Sequence, residues 1–285
     1  NGSYTKDFDY NTSYVTIIAD IGSPTKTGYL FDGYNPSTGN LGTNGATITA
    51  QYLKYVDIPT AVSGLTYAGI TQTGVLGGTG YTLTGNTGTG AGSYSATATL
   101  ANGYVWSDGA TGTKTIQWTI SKKILTVTAD NKSITFTDPV PVFTATYTGF
   151  VYNETATVLT GTLSFACGYT GTNYATAFDI TPSGLSSSNY DVQHVKGTLS
   201  VAKKSIAVPT AVSGLTYTGT TQTGVLGGTG YTLTGNTGTN ADDYEATATL
   251  ANGYIWSGGS TDNEKIDWTI SKKTLTVTAD DKSIT

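Results

Sequence analysis

The sequence predicts an all-β chain, an elongated string of small sheet modules with little or no helix, and three observations carry that expectation. Residues 59–135 recur as residues 209–285, offset by 150, with 61 of 77 aligned positions identical. A period this long exceeds the roughly 20–50 residues of solenoid units, so each copy is expected to hold whole domains. Two-residue alternation is explicit: Tyr94, Ala96, Ala98 and Leu100 alternate with Ser95, Thr97 and Thr99, and Ile116, Trp118 and Ile120 alternate with Gln117, Thr119 and Ser121. Composition agrees, because the chain holds 59 Thr and 37 Gly and offers almost no Ala/Leu/Glu/Lys runs at a helical period.

Module boundaries follow a recurring Lys pair that opens a β-rich run, at Lys122-Lys123, Lys203-Lys204 and Lys272-Lys273. The intervals between them are 81 and 69 residues. Two module types are therefore expected to alternate: a first module at 1–55, type A at 56–122, type B at 123–203, a second type A at 204–272, and the start of a second type B at 273–285. With almost no linker between one module's last strand and the next module's first, neighbours are expected to bend little.

Differences between the copies test the strand assignment. Ser95 becomes Glu245, Gln117 becomes Asp267 and Lys114 becomes Glu264, positions read as outward because a new charge is cheap only in solvent. Trp106, Trp118, Trp256 and Trp268 are read as core.

Charge and chemistry narrow the function. Charged residues make up 12%, Arg is absent and the net charge is −5, so nucleic acid is not an expected partner. No apolar run approaches the roughly 18 residues that span a bilayer, and no export signal opens the sequence. The absence of Met, even at position 1, predicts a piece of something longer. The single Cys167 excludes an intrachain disulfide, which still fits an exported bacterial protein.

Three resemblances sharpen this. Residues 10–52, through Pro24-Thr25-Lys26-Thr27-Gly28-Tyr29-Leu30-Phe31-Asp32-Gly33-Tyr34 and Ile48-Thr49-Ala50-Gln51-Tyr52, resemble the internalin B-repeat (Listeria–Bacteroides repeat), a β-grasp module, with Tyr34 and Tyr52 where Trp is usual. Residues 123–203 resemble the MBG domains of bacterial adhesins, through Leu125 to Ser133, Tyr147 to Ala156, Ile180 to Tyr190 and Gly197 to Val201. Type A, with Tyr-x-Gly-x-x-Gln-Thr-Gly at Tyr67 to Gly74 and Tyr217 to Gly224, is similar to Ig-like repeats of large bacterial surface proteins. The resemblances imply Ig-like β-sandwich modules alternating with β-grasp-like ones, helix only in the first module if anywhere, and an extracellular stalk or adhesin. They carry no catalytic or ligand residues onto this chain.

Each candidate for chemistry has a plainer reading. Cys167 and His194, the only thiol and imidazole, are the sole material for a nucleophilic dyad and are read as structural. Asp130, Asp138, Asp179 and Asp191 sit singly; Asp242-Asp243 with Glu245 forms an acidic turn replaced by Gly92, Ser93 and Ser95 in the other copy, too few oxygens for Ca²⁺. The run Gly74 to Tyr81 lacks the helix and Lys of a phosphate loop. A Lys–Asn isopeptide crosslink would draw on Lys114 and Asp108, or on Glu154, and no shared set stands in both copies. Tyr4, Tyr10, Tyr14, Tyr29, Tyr34, Tyr52 and Tyr55 are the better material for stacking on sugars.

The expected role is thus a non-catalytic stalk, spacer or adhesive segment of a secreted bacterial cell-surface protein, with no catalytic, cofactor or metal residue and no cofactor. The alternatives are multivalent binding of host or environmental glycans or proteins, and the linker region of a surface enzyme. Leu275 to Thr285, repeating only the opening strand of type B, is expected to be able to pair with another molecule.

Overall fold

A computed structural model describes residues 8–35, 38–43, 47–280 and 282. The chain is all-β. Helix among the described residues is confined to Tyr14–Ile21 and the short 3-10 turn Ala156–Val158. The chain divides into two compact units: residues 1–125, 149–160 and 186–192, and residues 126–148, 161–185 and 193–285.

In the first unit, the helix Tyr14–Ile21 starts at Ser13, whose hydroxyl accepts from the Thr16 amide at 3.3 Å, and ends at Gly22 in a left-handed conformation. It buries Ile17. The strands Tyr29–Asn35 and Thr49–Val56 pair antiparallel with an irregularity between Phe31 and Gly33. That bulge returns Tyr34 to the face occupied by Phe31 and Tyr52.

The strand Thr49–Val56 runs across the boundary expected after residue 55. Its last three residues, Lys54, Tyr55 and Val56, pair in parallel with Tyr104, Val105 and Trp106. One continuous strand therefore closes the first module and opens the first repeat. The same geometry recurs 150 residues later, where Lys204–Ile206 pairs in parallel with Tyr254–Trp256. Only Lys54 remains of the Lys pair at the first of these positions, which hid the equivalence in the sequence.

Each repeat is built on a three-stranded antiparallel sheet, in the order Tyr81–Thr84, Gly92–Leu100, Lys114–Ile120 and again Tyr231–Thr234, Asp243–Leu250, Glu264–Thr269. Alternation places Ala96, Ala98 and Trp118, with Ala246, Ala248 and Trp268, in the interior. Tyr94 stacks on Trp118 with centroids 4.3 Å apart and planes 16° apart, and Tyr244 does so on Trp268 at 4.4 Å and 16°. The indoles donate to the carbonyls of Gly85 at 3.1 Å and Gly235 at 3.0 Å. A Cβ on Gly74 or Gly224 would lie 1.8 Å from the indole, so the closing glycine of the motif is a steric requirement. The motif's Gln serves the fold too: Gln72 donates to the Thr66 carbonyl, and Gln222 to that of Thr216, both at 3.1 Å.

The alternation read for Lys114 needs correction. It shares the phase of Ile116 and Trp118 rather than that of Gln117, and lies half-buried at the strand's end, where it pairs with Asp108 at 2.5 Å. Its change to Glu264 accompanies the change of Asp108 to Gly258, so the repeat that gains the acid loses the neighbouring one. Ser95 and Gln117 do face outward, and Glu245 is paired with Lys265 at 2.9 Å.

The second unit holds a four-stranded sheet in the order Lys132–Thr135, Gly197–Ala202, residues 177–185 of the strand Ala177–Ser186 and residues 161–167 of the strand Thr160–Cys167, parallel at the first pair and antiparallel at the second. Ala145–Thr148 pairs antiparallel with residues 126–129 of the strand Lys123–Ala129. Ala129, Phe136, Tyr169, Ile180, Leu199 and Val201 form its core, joined by Tyr254 of the second repeat. Residues 272–280 form no strand, and Leu275 and Val277 are more than four-fifths exposed. The expected pairing segment 275–285 extends into positions 281 and 283–285, which lie outside the described residues, as does Tyr4.

Candidate functional site

A polar constellation lies where the first repeat meets the module after it, within the first unit. Tyr67, 5% exposed, donates its hydroxyl to one oxygen of Glu154 at 2.5 Å, and Tyr190 donates to the other. Tyr67 and Tyr190 meet edge to face with centroids 5.3 Å apart, and Phe150 meets Tyr190 in the same manner at 5.6 Å. The Val151 amide donates to the Tyr190 hydroxyl at 3.1 Å, so that oxygen both gives and receives. Both phenols are held above their ordinary pKa. Tyr67 is pushed up to about 12, chiefly by its hydrogen bond to the Glu154 carboxylate and then by burial. Tyr190 is raised by burial first and by Glu154 second.

Local backbone aims the carboxylate. Tyr152 and Asn153 occupy consecutive left-handed conformations at φ 49° and 61°, and the Glu154 amide closes the turn on the Val151 carbonyl at 2.9 Å. Such residues cost energy that the surroundings must supply. Gly69, at φ 73°, leaves room for this turn, since an added Cβ would lie 2.8 Å from the Tyr152 Cβ.

A second contact locks the same junction. The Ser187 hydroxyl accepts from the amides of Asn189 and Tyr190, fixing a turn from which Asn189 accepts the Ala91 amide at 2.9 Å. Lys122 donates to the Ser187 carbonyl at 2.8 Å, and the Lys123 amide to that of Asn189 at 3.0 Å. Tyr67, Val75, Ala96, Trp118, Ile120, Leu125 and Tyr190 form a single buried cluster, so the repeat and the next module share a core.

The residues singled out in the sequence fall elsewhere. Cys167 is half-buried on Thr160–Cys167 and His194 is exposed on Tyr190–Val195, strands of different sheets. Asp130 accepts from the hydroxyls of Thr144 at 2.6 Å and Thr146 at 2.7 Å, which hold its carboxyl below the usual range. Asp138 accepts the Thr135 amide, and Asp179 pairs with Lys196, both at 2.8 Å. Asp243 accepts the Thr269 hydroxyl at 2.7 Å. Among the described residues no group of three His, Cys, Asp or Glu side chains is placed to hold a metal. The run Gly74 to Tyr81 is shaped by ring contacts: a Cβ on Gly80 would lie 2.5 Å from the Tyr104 ring. Glu154 faces two phenols rather than a Lys–Asn pair, and Lys114 is paired with Asp108.

The aromatic candidates are largely consumed in packing. Trp106 is fully buried and Trp256, Trp118 and Trp268 nearly so. Phe31 lies 5.1 Å from Tyr34 and 5.9 Å from Tyr52, and the Tyr34 hydroxyl donates to the Gly22 carbonyl at the helix end at 2.8 Å. Lys26 caps this cluster, its ammonium 4.0 Å from the Tyr29 ring centroid. Tyr10 is well exposed and Tyr55 partly so. A shallow depression lies beside the indole in both repeats, lined by Ser93, Gln117 and Thr119 in the first and by Asp243, Asp267 and Thr269 in the second. Its rim differs in charge between copies, and its indoles present almost no surface.

Tyr67, Glu154 and Tyr190 stand in separate motifs of the sequence, which gives them no joint role. One signal was available: the chain holds only three Glu, and Glu154 comes one residue, Asn153, after the apolar Phe150-Val151-Tyr152.

Comparison with known proteins bears on this junction. Residues 125–200 match the family model of the MBG domain (YGX type). The MBG-like module therefore supplies both Glu154 and Tyr190. No curated protein matches the chain. Among solved structures the chain is similar to one titled "Protocadherin Gamma B2 extracellular cadherin domains 1-5", at 11% identity over 93% of this chain and 77% of that one, with a TM-score of 0.21.

Proposed function

We propose that this chain is a non-catalytic stalk, spacer or adhesive segment of a secreted bacterial cell-surface protein, in which the modules supply reach. The observation that carries the reading is how modules join within the first unit. A continuous strand, Thr49–Val56, opens the first repeat, and the Tyr67–Glu154–Tyr190 bridge with a shared core closes it onto the MBG-like module. Side chains at such joints are committed to holding neighbours, and a spacer transmits position only if its joints resist bending. The MBG-like module supports an extracellular setting. Under this reading residues 1–55 are a B-repeat-like β-grasp unit, 56–122 and 204–272 Ig-like repeats, and 273–285 the start of a second MBG-like unit.

Pulling the chain end to end, together with probing glycan and protein arrays with it, tests the reading. Length should be released in separate steps, the first repeat and its downstream joint resisting most, while the arrays stay at background. A glycan or protein held alike by residues 59–122 and 209–272 would replace reach with multivalent binding. Turnover of any substrate by the chain would remove the non-catalytic reading altogether.

A further inference from the structure

The second repeat keeps the socket that the first repeat uses. Tyr217 is held by the same backbone frame as Tyr67, its amide donating to Ser271 at 2.9 Å where that of Tyr67 donates to Ser121 at 2.8 Å. Gly219 keeps the left-handed conformation of Gly69, at φ 79° against 73°. The surroundings differ: Tyr217 is 41% exposed, and a Cβ on Gly219 would meet only the Tyr217 hydroxyl, at 3.9 Å. Residues 274–280 repeat residues 124–130, the opening strand of the module seated on the first repeat, with Ile124→Thr274 the one change.

We propose that the face of the second repeat centred on Tyr217 is a docking surface for a module of the class formed by residues 123–203, one that presents a carboxylate where Glu154 stands. The Tyr217 hydroxyl donates to that carboxylate, and Gly219 admits the left-handed turn that carries it. Backbone at Ala241 takes the place of Ala91 toward the residue equivalent to Asn189. Three differences tune the fit: Ala68→Thr218, Ile70→Thr220 and Gly90→Asn240. A Cβ on Gly90 would lie 3.2 Å from the Asn189 side-chain oxygen, so Asn240 is the tightest point of the second socket. The inference stands on the duplication and the first joint, independently of the spacer reading.

The test extends the full chain after Thr285 with a second copy of residues 136–203, so that 273–285 run on as 123–135 do. Tyrosine nitration, read by peptide mass, should modify Tyr217 readily in the 285-residue chain. In the extended chain it should be slowed about tenfold or more, the protection expected of a hydrogen bond to a charged group. Tyr67 should be slow in both. Glu154→Ala made in the appended copy alone should restore the Tyr217 rate, and Asn240→Gly should slow it further. Hydrogen exchange of the appended strands reports their folding separately. A folded appended module with Tyr217 reacting at its original rate overturns the proposal. So does an appended module that stays unfolded beside the second repeat while residues 123–203 fold beside the first.

Discussion

Tyr67 and Tyr217 sit in the same motif, on the same backbone hydrogen bond, within repeats that match at 61 of 77 positions; one is 5% exposed and the other 41%. Their interiors do not differ in this way, since Trp118 and Trp268 are 2% and 3% exposed and stack on their tyrosines at the same angle. The Tyr–Trp stack inside each repeat is thus written in the repeat's own sequence, while the state of its downstream face is written in its neighbour. Burial of a phenol there depends on a carboxylate that arrives from 87 residues away.

Removing a core indole should erase the distinction. Trp118→Ala and Trp268→Ala should each cost about 3–5 kcal/mol, equally in the two repeats, measured by denaturant unfolding with region-resolved hydrogen exchange. A clearly smaller loss at Trp268 would mean that the neighbour also supports the core. Glu154→Ala should act on the first repeat alone. Stranding two buried hydroxyls should cost about 2–3 kcal/mol in the first unit, with exchange in residues 209–271 unchanged. Tyr67→Phe loses one hydrogen bond and should cost about 1 kcal/mol, whereas Tyr217→Phe should stay within about 0.5 kcal/mol.

The smallest effect is the most specific. Tyr67 carries a pKa raised from 10.0 to about 12, so the neutral phenol is favoured in the folded joint. A raised folded value contributes stability that is complete below the unfolded pKa and disappears as pH climbs through the folded one. The first joint should therefore loosen between pH 10 and about 12, followed by exchange at residues 65–69 and 150–154, and Tyr67→Phe should remove that part of the pH dependence.

Much of the fold was legible because it is local. Alternation placed Ala96, Ala98 and Ile120 inside, and the charge-accepting Ser95 and Gln117 outside, since a two-residue period needs no knowledge of partners. Phase had to be counted strictly, and Lys114 shows the penalty: a charge at a strand end can sit in the inward phase when an acid such as Asp108 reaches it. The continuous strand Thr49–Val56 was hidden because the Lys pair that marks the other boundaries has lost one member there. The joint itself was the least legible, as its three principal residues are separated by 87 and 36 positions and only folding brings them together. The left-handed turn is only half legible in residue type: Asn153 is of a kind that tolerates it, whereas Tyr152 is not.

A double-mutant cycle between Tyr67 and Glu154, run beside the pair Tyr217 and Glu154, addresses the neighbour's role most directly. The joint predicts a coupling energy of about 1–2 kcal/mol for the first pair and none for the second. Additive effects at Tyr67 and Glu154, matching those at Tyr217, would contradict it.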